Sequence, residues 1–341
     1  MYDLETTSPP LLQFWKSLRA TFGRVPLWFF CWSVPLLLAV ALALPWRAWF
    51  DDTLAQRFAP GAVLASTTEV FRFDQRESLG ELKSHTGGVA AALGLCAILF
   101  GAFCAGGWLQ VFLERTRGHT LRRFFWGGAR HFWRFLRLTF LTLLVLSLFG
   151  WVVYGWPWKL LMSLFYGAED GNLEVLTSER SALWLRWVQA GAYGLIFALV
   201  LTWGDYTRTR MALHNTRSAL WAGLCTLGLF IWHPIQTLRP LGLLLLLEFF
   251  VVLGLGSLSW RFNAGLDATS GWKSLTYLFL FGQLALLYQT ISRGARYHAA
   301  VAISRRIVPP LAQPDPWASR VGGPGGPQYP IDDTDDYGVS I

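Results

Sequence analysis

Long apolar stretches constrain this chain more than any other feature of its sequence. Six of them are long enough to cross ~30 Å of hydrocarbon as helices of about 20 residues. A seventh stretch, residues 218–232, is too short to cross without thinning the bilayer, and we interpret it as an interfacial or re-entrant helix. The sequence predicts an all-α, polytopic membrane bundle within residues 1–307, with six spans at 25–48, 87–113, 138–158, 183–206, 241–260 and 272–290.

Composition agrees with a membrane location. Of the 341 residues, 53% are hydrophobic and only 15% are charged, whereas about 25% are charged in typical soluble domains. The formal net charge of +8 would suggest a nucleic-acid partner in a soluble protein. In a membrane protein the positions of the charges matter more than their sum, and no nucleic-acid partner is expected.

The basic residues predict the orientation of the bundle. Nineteen of the 29 basic residues lie in the N-terminal segment, the second and fourth connections and the C-terminal segment. By the positive-inside rule, both termini are expected to be cytoplasmic. Many of the 19 tryptophans flank the predicted spans, as in an interfacial aromatic belt. The first span resembles a signal peptide, but its apolar run is too long, so a retained signal-anchor is expected.

A pattern of amphipathic segment, turn and span occurs three times on the predicted cytoplasmic side. The amphipathic segments are residues 11–24, 120–137 and 218–239. Three cytoplasmic interfacial helices are therefore predicted, and three pseudo-repeats are a hypothesis.

An arginine stripe follows from helical geometry in the second of these segments. At 100° per residue, Arg123, Arg130, Arg134 and Arg137 fall within about 60° of one another. Such a stripe would offer guanidinium groups to the phosphates of anionic lipid or to a protein partner. The alternative is that these arginines only enforce topology.

Glu248 is the most informative single residue, because a carboxylate inside an apolar span costs a few kcal/mol unless it is satisfied. It is either a proton, cation or substrate site, or a neutral carboxyl that hydrogen-bonds another span. Gln283 and Tyr288 in the sixth span are its predicted partners at similar depth.

Charged residues at the inner ends of spans four and six predict a structural ion pair. Asp205 lies at the end of the fourth span, with Arg208 three residues later. Arg293 and Arg296 follow the sixth span at similar depth. A pair among these residues would join two helix ends.

No catalytic, cofactor or metal site is predicted. The phosphate-loop, zinc-protease, nucleophile-elbow and dinucleotide motifs are all missing from the sequence. The cysteines lie in apolar runs, which predicts packing roles and no disulfide framework. Residues 308–341 are rich in proline and glycine and end in several aspartates, which predicts a disordered cytoplasmic tail. Its acidic end could contact the arginine stripe or another protein, or stay solvated.

Three short motifs carry a resemblance. Residues 205–208 read DYTR, residues 218–224 read SALWAGL, and His233-Pro234 follows. This pattern resembles uncharacterised bacterial six-span inner-membrane proteins, which are similar to the membrane domain of some glycerophosphodiester phosphodiesterases. The resemblance covers residues 10–305 and implies a bacterial inner-membrane location and a helical fold. It implies no catalytic residue, because the soluble phosphodiesterase barrel has no counterpart here.

These observations favour a non-enzymatic accessory or scaffold component that binds anionic lipid or a protein partner at the cytoplasmic face. The alternative is a small-molecule or ion transporter that uses Glu248. A membrane-embedded enzyme is a third class.

Overall fold

The computed structural model describes residues 10–53, 76–114, 119–166, 178–264 and 272–307. These residues contain helices and no strand, which confirms the all-α prediction. The predicted tail, residues 308–341, and parts of the connections between the predicted spans (54–75, 115–118, 167–177 and 265–271) lie outside the described residues. The helices are α1 (Pro10–Phe22), α2 (Val25–Thr53), α3 (Arg76–Leu113), α4 (Thr120–Tyr154), α5 (Trp156–Tyr166), α6 (Glu179–Leu213), α7 (Ala219–Trp232), α8 (Pro234–Ala264) and α9 (Trp272–Ile307).

Helix α1 is the short amphipathic helix predicted before the first span. It begins at Pro10, a residue that suits the first helical position because it has no backbone N–H to leave unsatisfied. Its buried residues, Phe14, Ser17, Leu18 and Thr21, recur at three- and four-residue spacing. Helix α1 therefore packs one face against the bundle and ends just before Gly23.

Helix α4 differs from the prediction for residues 120–137. The sequence predicts a turn between this amphipathic segment and the third span, but the structure has one continuous helix, Thr120–Tyr154. Neither proline nor glycine occurs between Arg130 and Phe149, so nothing in the sequence breaks the backbone hydrogen bonding there. The helix ends at Gly155 instead, just before Pro157. The predicted turn is therefore wrong. Helix α4 ends at Tyr154, within the predicted third span, and the apolar segment that includes this span continues to Phe165.

Five segments of the described residues are long and apolar enough to cross a membrane. They are Val25–Trp49, Arg76–Leu113, Thr120–Phe165, Glu179–Leu213 and Pro234–Phe262. Only 11–22% of each apolar window is buried inside the protein, so the remaining apolar surface needs a lipid environment. The chain is a multi-pass membrane protein. The sixth predicted span, residues 272–290, is helical within α9, but polar residues such as Gln283, Gln289 and Thr290 dilute its apolar character.

The best-packed part of the bundle is one end, which we call the core end. Here α2, α4 and α8 begin, and α3, α6 and α9 end. Contacts across the chain show this arrangement: the Arg123 guanidinium of α4 pairs with Glu114 just after α3, and Arg296 of α9 pairs with Asp205 of α6. His298 of α9 also shares a hydrogen bond with Ser17 of α1. Six helix ends and α1 therefore meet on one side of the bundle.

Paired glycines bring α3 and α4 into close contact at the core end. A Cβ on Gly106 would lie 2.7 Å from the carbonyl oxygen of Gly127, and a Cβ on Gly127 would lie 2.2 Å from Cβ of Gln110. Both distances are too short for any side chain larger than hydrogen. Glycines of α3 and α4 thus allow the two backbones to approach closely at this end of the bundle.

Candidate functional site

A buried ionic network joins α6, α8 and α9 at the core end. The Nε of Arg296 lies 3.1 Å from Oδ2 of Asp205, and a second guanidinium nitrogen of Arg296 donates a hydrogen bond to Oε2 of Glu248. One arginine of α9 therefore bridges carboxylates from two other helices. We call Asp205, Arg208, Glu248 and Arg296 the ionic network.

The Arg296 guanidinium stays protonated in this setting. Only 6% of its side chain is exposed, against 4% for Asp205. Burial alone lowers the pKa of Arg296, but the charges of Asp205 and Glu248 outweigh burial and raise the pKa above its ordinary value. The guanidinium is thus charged and neutralised by both carboxylates.

Glu248 has partners other than those predicted. Besides Arg296, the hydroxyl of Ser292 donates a hydrogen bond of 2.7 Å to Glu248. Tyr288 lies close enough to interact electrostatically with Glu248, but the Gln283 side-chain oxygen has no hydrogen-bond partner among the described residues. The prediction missed Ser292 and Arg296 because it matched only residues within the sixth apolar stretch. Arg296, whose charge pairs with Glu248, lies six residues beyond that stretch, which is less than two helical turns.

The predicted ion-pair set divides into contacting and non-contacting residues. Arg208 lies 3.3 Å from Asp205 and also donates a hydrogen bond of 3.3 Å to Thr139 of α4. Arg293 is exposed and forms no ion pair with a described residue. The structure thus brings Asp205, Arg208 and Arg296 together and leaves Arg293 outside the network.

A second buried pair removes Arg123 from the predicted surface. The Arg123 side chain is 3% exposed, and its Nε lies 3.1 Å from Oε2 of Glu114. Gln110 donates a hydrogen bond to the same carboxylate, and His131 lies 3.3 Å from the Gln110 oxygen. The interpretation of Arg123 as part of an exposed stripe is wrong, because the close α3–α4 packing buries that part of the helix.

The remaining arginines of the stripe form a cationic surface with a fourth arginine. Arg130 and Arg137 are exposed, Arg134 is half-buried, and exposed Arg217 of the α6–α7 connection lies near them. The side-chain charges that act on Arg134 are those of Arg130, Arg217 and Arg137, all positive. We call Arg130, Arg134, Arg137 and Arg217 the arginine cluster. Neighbouring positive charges that pair with no carboxylate of the described ranges favour an anionic ligand.

Two contacts hold the arginine cluster in place. Arg134 donates a hydrogen bond to the side-chain oxygen of Asn215, whose backbone has a left-handed φ of 49°. Asparagine tolerates this conformation better than most residues. The guanidinium of Arg130 lies 4.7 Å from the centre of the Trp126 ring, in a cation–π contact. Both contacts limit the side-chain entropy that binding a ligand would cost.

Two of the four cysteines pack in the core, as predicted, whereas Cys225 is half-buried and Cys96 is exposed. Cys31 of α2 and Cys104 of α3 are buried with their sulfurs 3.5 Å apart. Both are free thiols. Within the described ranges, no group of three or more His, Cys, Asp or Glu side chains could hold a metal ion.

Sequence reasoning missed Ser292, Thr139, Glu114 and Asn215 as parts of these sites. Glu114 had a detectable signal, since it is an acid among seven basic residues of the second connection. The other three are common polar residues whose roles depend on contacts between distant helices.

Comparison of the chain with protein-family models, with curated proteins and with solved structures found no match. The resemblance to bacterial six-span proteins therefore stays a prediction.

Proposed function

We propose that the protein is a non-enzymatic membrane component that binds anionic lipid headgroups through its arginine cluster. The observation that carries this proposal is the set of four neighbouring guanidinium groups without a carboxylate partner among the described residues. Guanidinium groups bind phosphate through paired, charge-assisted hydrogen bonds. A protein partner with clustered phosphate or carboxylate groups is the alternative ligand.

The proposal places the arginine cluster at the cytoplasmic surface of a bacterial inner membrane. Helix α8 begins at the core end, where Tyr206 of α6 donates a hydrogen bond to the Thr237 carbonyl. Helix α9 ends there, where Arg305 donates a hydrogen bond to the Leu113 carbonyl. If α8 crosses the bilayer, then α9 must cross it in the opposite direction, which supports six spans. The excess of basic residues at the core end supports a cytoplasmic orientation for both termini.

An exposed tryptophan supports lipid as the ligand. Trp133 lies between Arg130 and Arg134 in sequence and is 68% exposed, and the apolar part of α4 follows Arg137 directly. Tryptophan with arginine at the edge of an apolar helix is typical of the headgroup region.

The transporter alternative has less support from the geometry of Glu248. Its carboxylate accepts hydrogen bonds from both Arg296 and Ser292, so the charge is already neutralised within the protein. An ion pair of this kind supports a structural role that joins α8 to α9.

Binding of short-chain phosphatidylglycerol to the purified protein tests the proposal. Each arginine near an anionic surface contributes ~1 kcal/mol, so the triple variant Arg130→Gln, Arg134→Gln, Arg137→Gln should bind about 100-fold more weakly. Dioctanoylphosphatidylglycerol serves as the ligand and dioctanoylphosphatidylcholine as its neutral counterpart.

A matched control variant removes three positive charges from the opposite end of the bundle. Lys159, Arg180 and Arg261 are exposed there, and their triple Gln variant should bind like the original protein. Equal phosphatidylglycerol binding by the original protein and the Arg130, Arg134, Arg137 variant would contradict the proposal.

A further inference from the structure

We propose that the acidic segment 332–336 of the same chain occupies the arginine cluster when anionic lipid does not. The segment competes with lipid as an intramolecular ligand. This inference rests on the proposed function, since it names a second occupant of the same surface and so a control on lipid binding.

Charge balance at the core end supports this occupant. The buried carboxylates Glu114, Asp205 and Glu248 are already paired with Arg123, Arg208 and Arg296. Within the part of the chain that the structure describes, no carboxylate pairs with the arginine cluster, whose positive charges repel one another. The segment 332–336 reads DDTDD and carries four carboxylates within five residues. Four negative charges match the four positive ones.

The distance also permits the contact. Helix α9 ends at Ile307, and Arg305 beside that end donates a hydrogen bond to the Leu113 carbonyl at the end of α3. The end of α9 therefore lies close to the Glu114–Arg123 pair. Arg130 lies about 10 Å farther along α4, at 1.5 Å per residue.

The connecting length is sufficient. Twenty-four residues lie between Ile307 and Asp332, and a linker of that length spans about 25–30 Å at random-coil dimensions. A tether of this kind gives a ligand an effective concentration in the millimolar range. Even a weak ionic contact would then be populated, and lipid would have to displace it.

A full-length variant with neutral tail residues tests the inference. The neutral-tail variant carries four changes: Asp332→Asn, Asp333→Asn, Asp335→Asn and Asp336→Asn. At low salt it should bind dioctanoylphosphatidylglycerol at least threefold more tightly than the original protein does. The difference should disappear near 0.5 M salt, because screening shortens the range of exposed charges to a few ångströms. It should also disappear when Arg130, Arg134 and Arg137 are changed to Gln.

A matched control separates a local contact from a change in net charge. The variant Asp51→Asn, Asp52→Asn, Glu77→Gln, Glu81→Gln removes the same four charges from exposed positions of α2 and α3. It should bind the lipid like the original protein. If it gains affinity as much as the tail variant, the effect is general electrostatics and the inference is wrong.

A second measurement keeps the two proposals distinguishable. A labelled peptide of residues 328–341 should bind the neutral-tail variant, and the three Arg→Gln changes should weaken this binding at least tenfold. Lipid binding that depends on the arginines but ignores the tail overturns the inference and leaves the proposed function standing. Peptide binding that depends on the arginines, with lipid binding that does not, overturns the proposed function and retains the tail contact.

Discussion

Arg296→Met should destabilise the protein more than any other single change in the ionic network. The guanidinium is buried and contacts both Asp205 and Glu248. Removing it leaves Asp205 with Arg208 alone and Glu248 with Ser292 alone. Breaking a buried ion pair from one side typically costs 3–5 kcal/mol, because the remaining charge stays uncompensated.

The expected size lies near the lower end of that range. Asp205 keeps Arg208 at 3.3 Å, and the Glu248 side chain is 20% exposed, so water partly compensates its charge. We therefore expect a loss of about 3 kcal/mol in the free energy of unfolding. For a domain of about 250 residues this lowers the unfolding temperature by on the order of 10 °C.

Thermal unfolding in detergent, followed by tryptophan fluorescence, measures the effect. Arg293→Met is the matched control, because Arg293 is on the same helix, is exposed and pairs with no described carboxylate. It should change stability by less than about 0.5 kcal/mol. The double variant Arg296→Met, Glu248→Gln should lose less than the sum of its single changes. Equal stability of Arg296→Met and Arg293→Met would refute a stabilising role for the network.

Three other predictions follow from the core end. Gly127→Ala should lower the free energy of unfolding by about 1–3 kcal/mol through overpacking. Gly94→Ala should not lower it, because a Cβ at Gly94 meets open space. Equal unfolding temperatures of the two variants would contradict this prediction. Glu114→Gln should destabilise by about 3 kcal/mol because it leaves Arg123 buried with an uncharged partner, and adding Arg123→Gln should restore part of that loss. Burial, aided by the charge of Arg210, lowers the pKa of His214, so this ring is neutral at pH 7. Lipid binding should therefore be the same at pH 8 and pH 7. A change in binding that disappears when His214 is replaced would contradict this prediction.

The sequence allowed the helical class and most of the helices to be predicted, because long apolar stretches have few stable alternatives in lipid. It could not show that residues 120–154 form one helix. An amphipathic stripe followed by an apolar stretch is compatible with both a turn and a continuous helix. Only the lack of proline and glycine between Arg130 and Phe149 favours a continuous helix. The predicted repeat pattern favoured a turn instead.

The candidate sites were partly predictable. Asp205, Arg208 and Arg296 were named from depth alone, since their order along two helices fixes their approximate level. The burial of Arg123 could not be predicted from the sequence. Its helical angle places it on the same face as Arg130, Arg134 and Arg137. In the structure, the Gly106–Gly127 contact covers only the part of that face that holds Arg123. Helical angle describes one helix alone. Burial of a residue on that helix also depends on how a neighbouring helix packs against it.

The distribution of packing explains why the polar contacts matter so much here. Apolar windows of the five candidate spans are only 11–22% buried, and in lipid the hydrophobic effect does not favour one helix neighbour over another. Specific pairing of helices must then come from close glycine contacts and buried polar groups. Both occur at the core end, where Gly106 meets Gly127, Glu114 meets Arg123, and Arg296 joins Asp205 to Glu248. Sensitivity to substitution should therefore concentrate at this end, and the lipid-facing halves of the same helices should tolerate exchange among apolar residues.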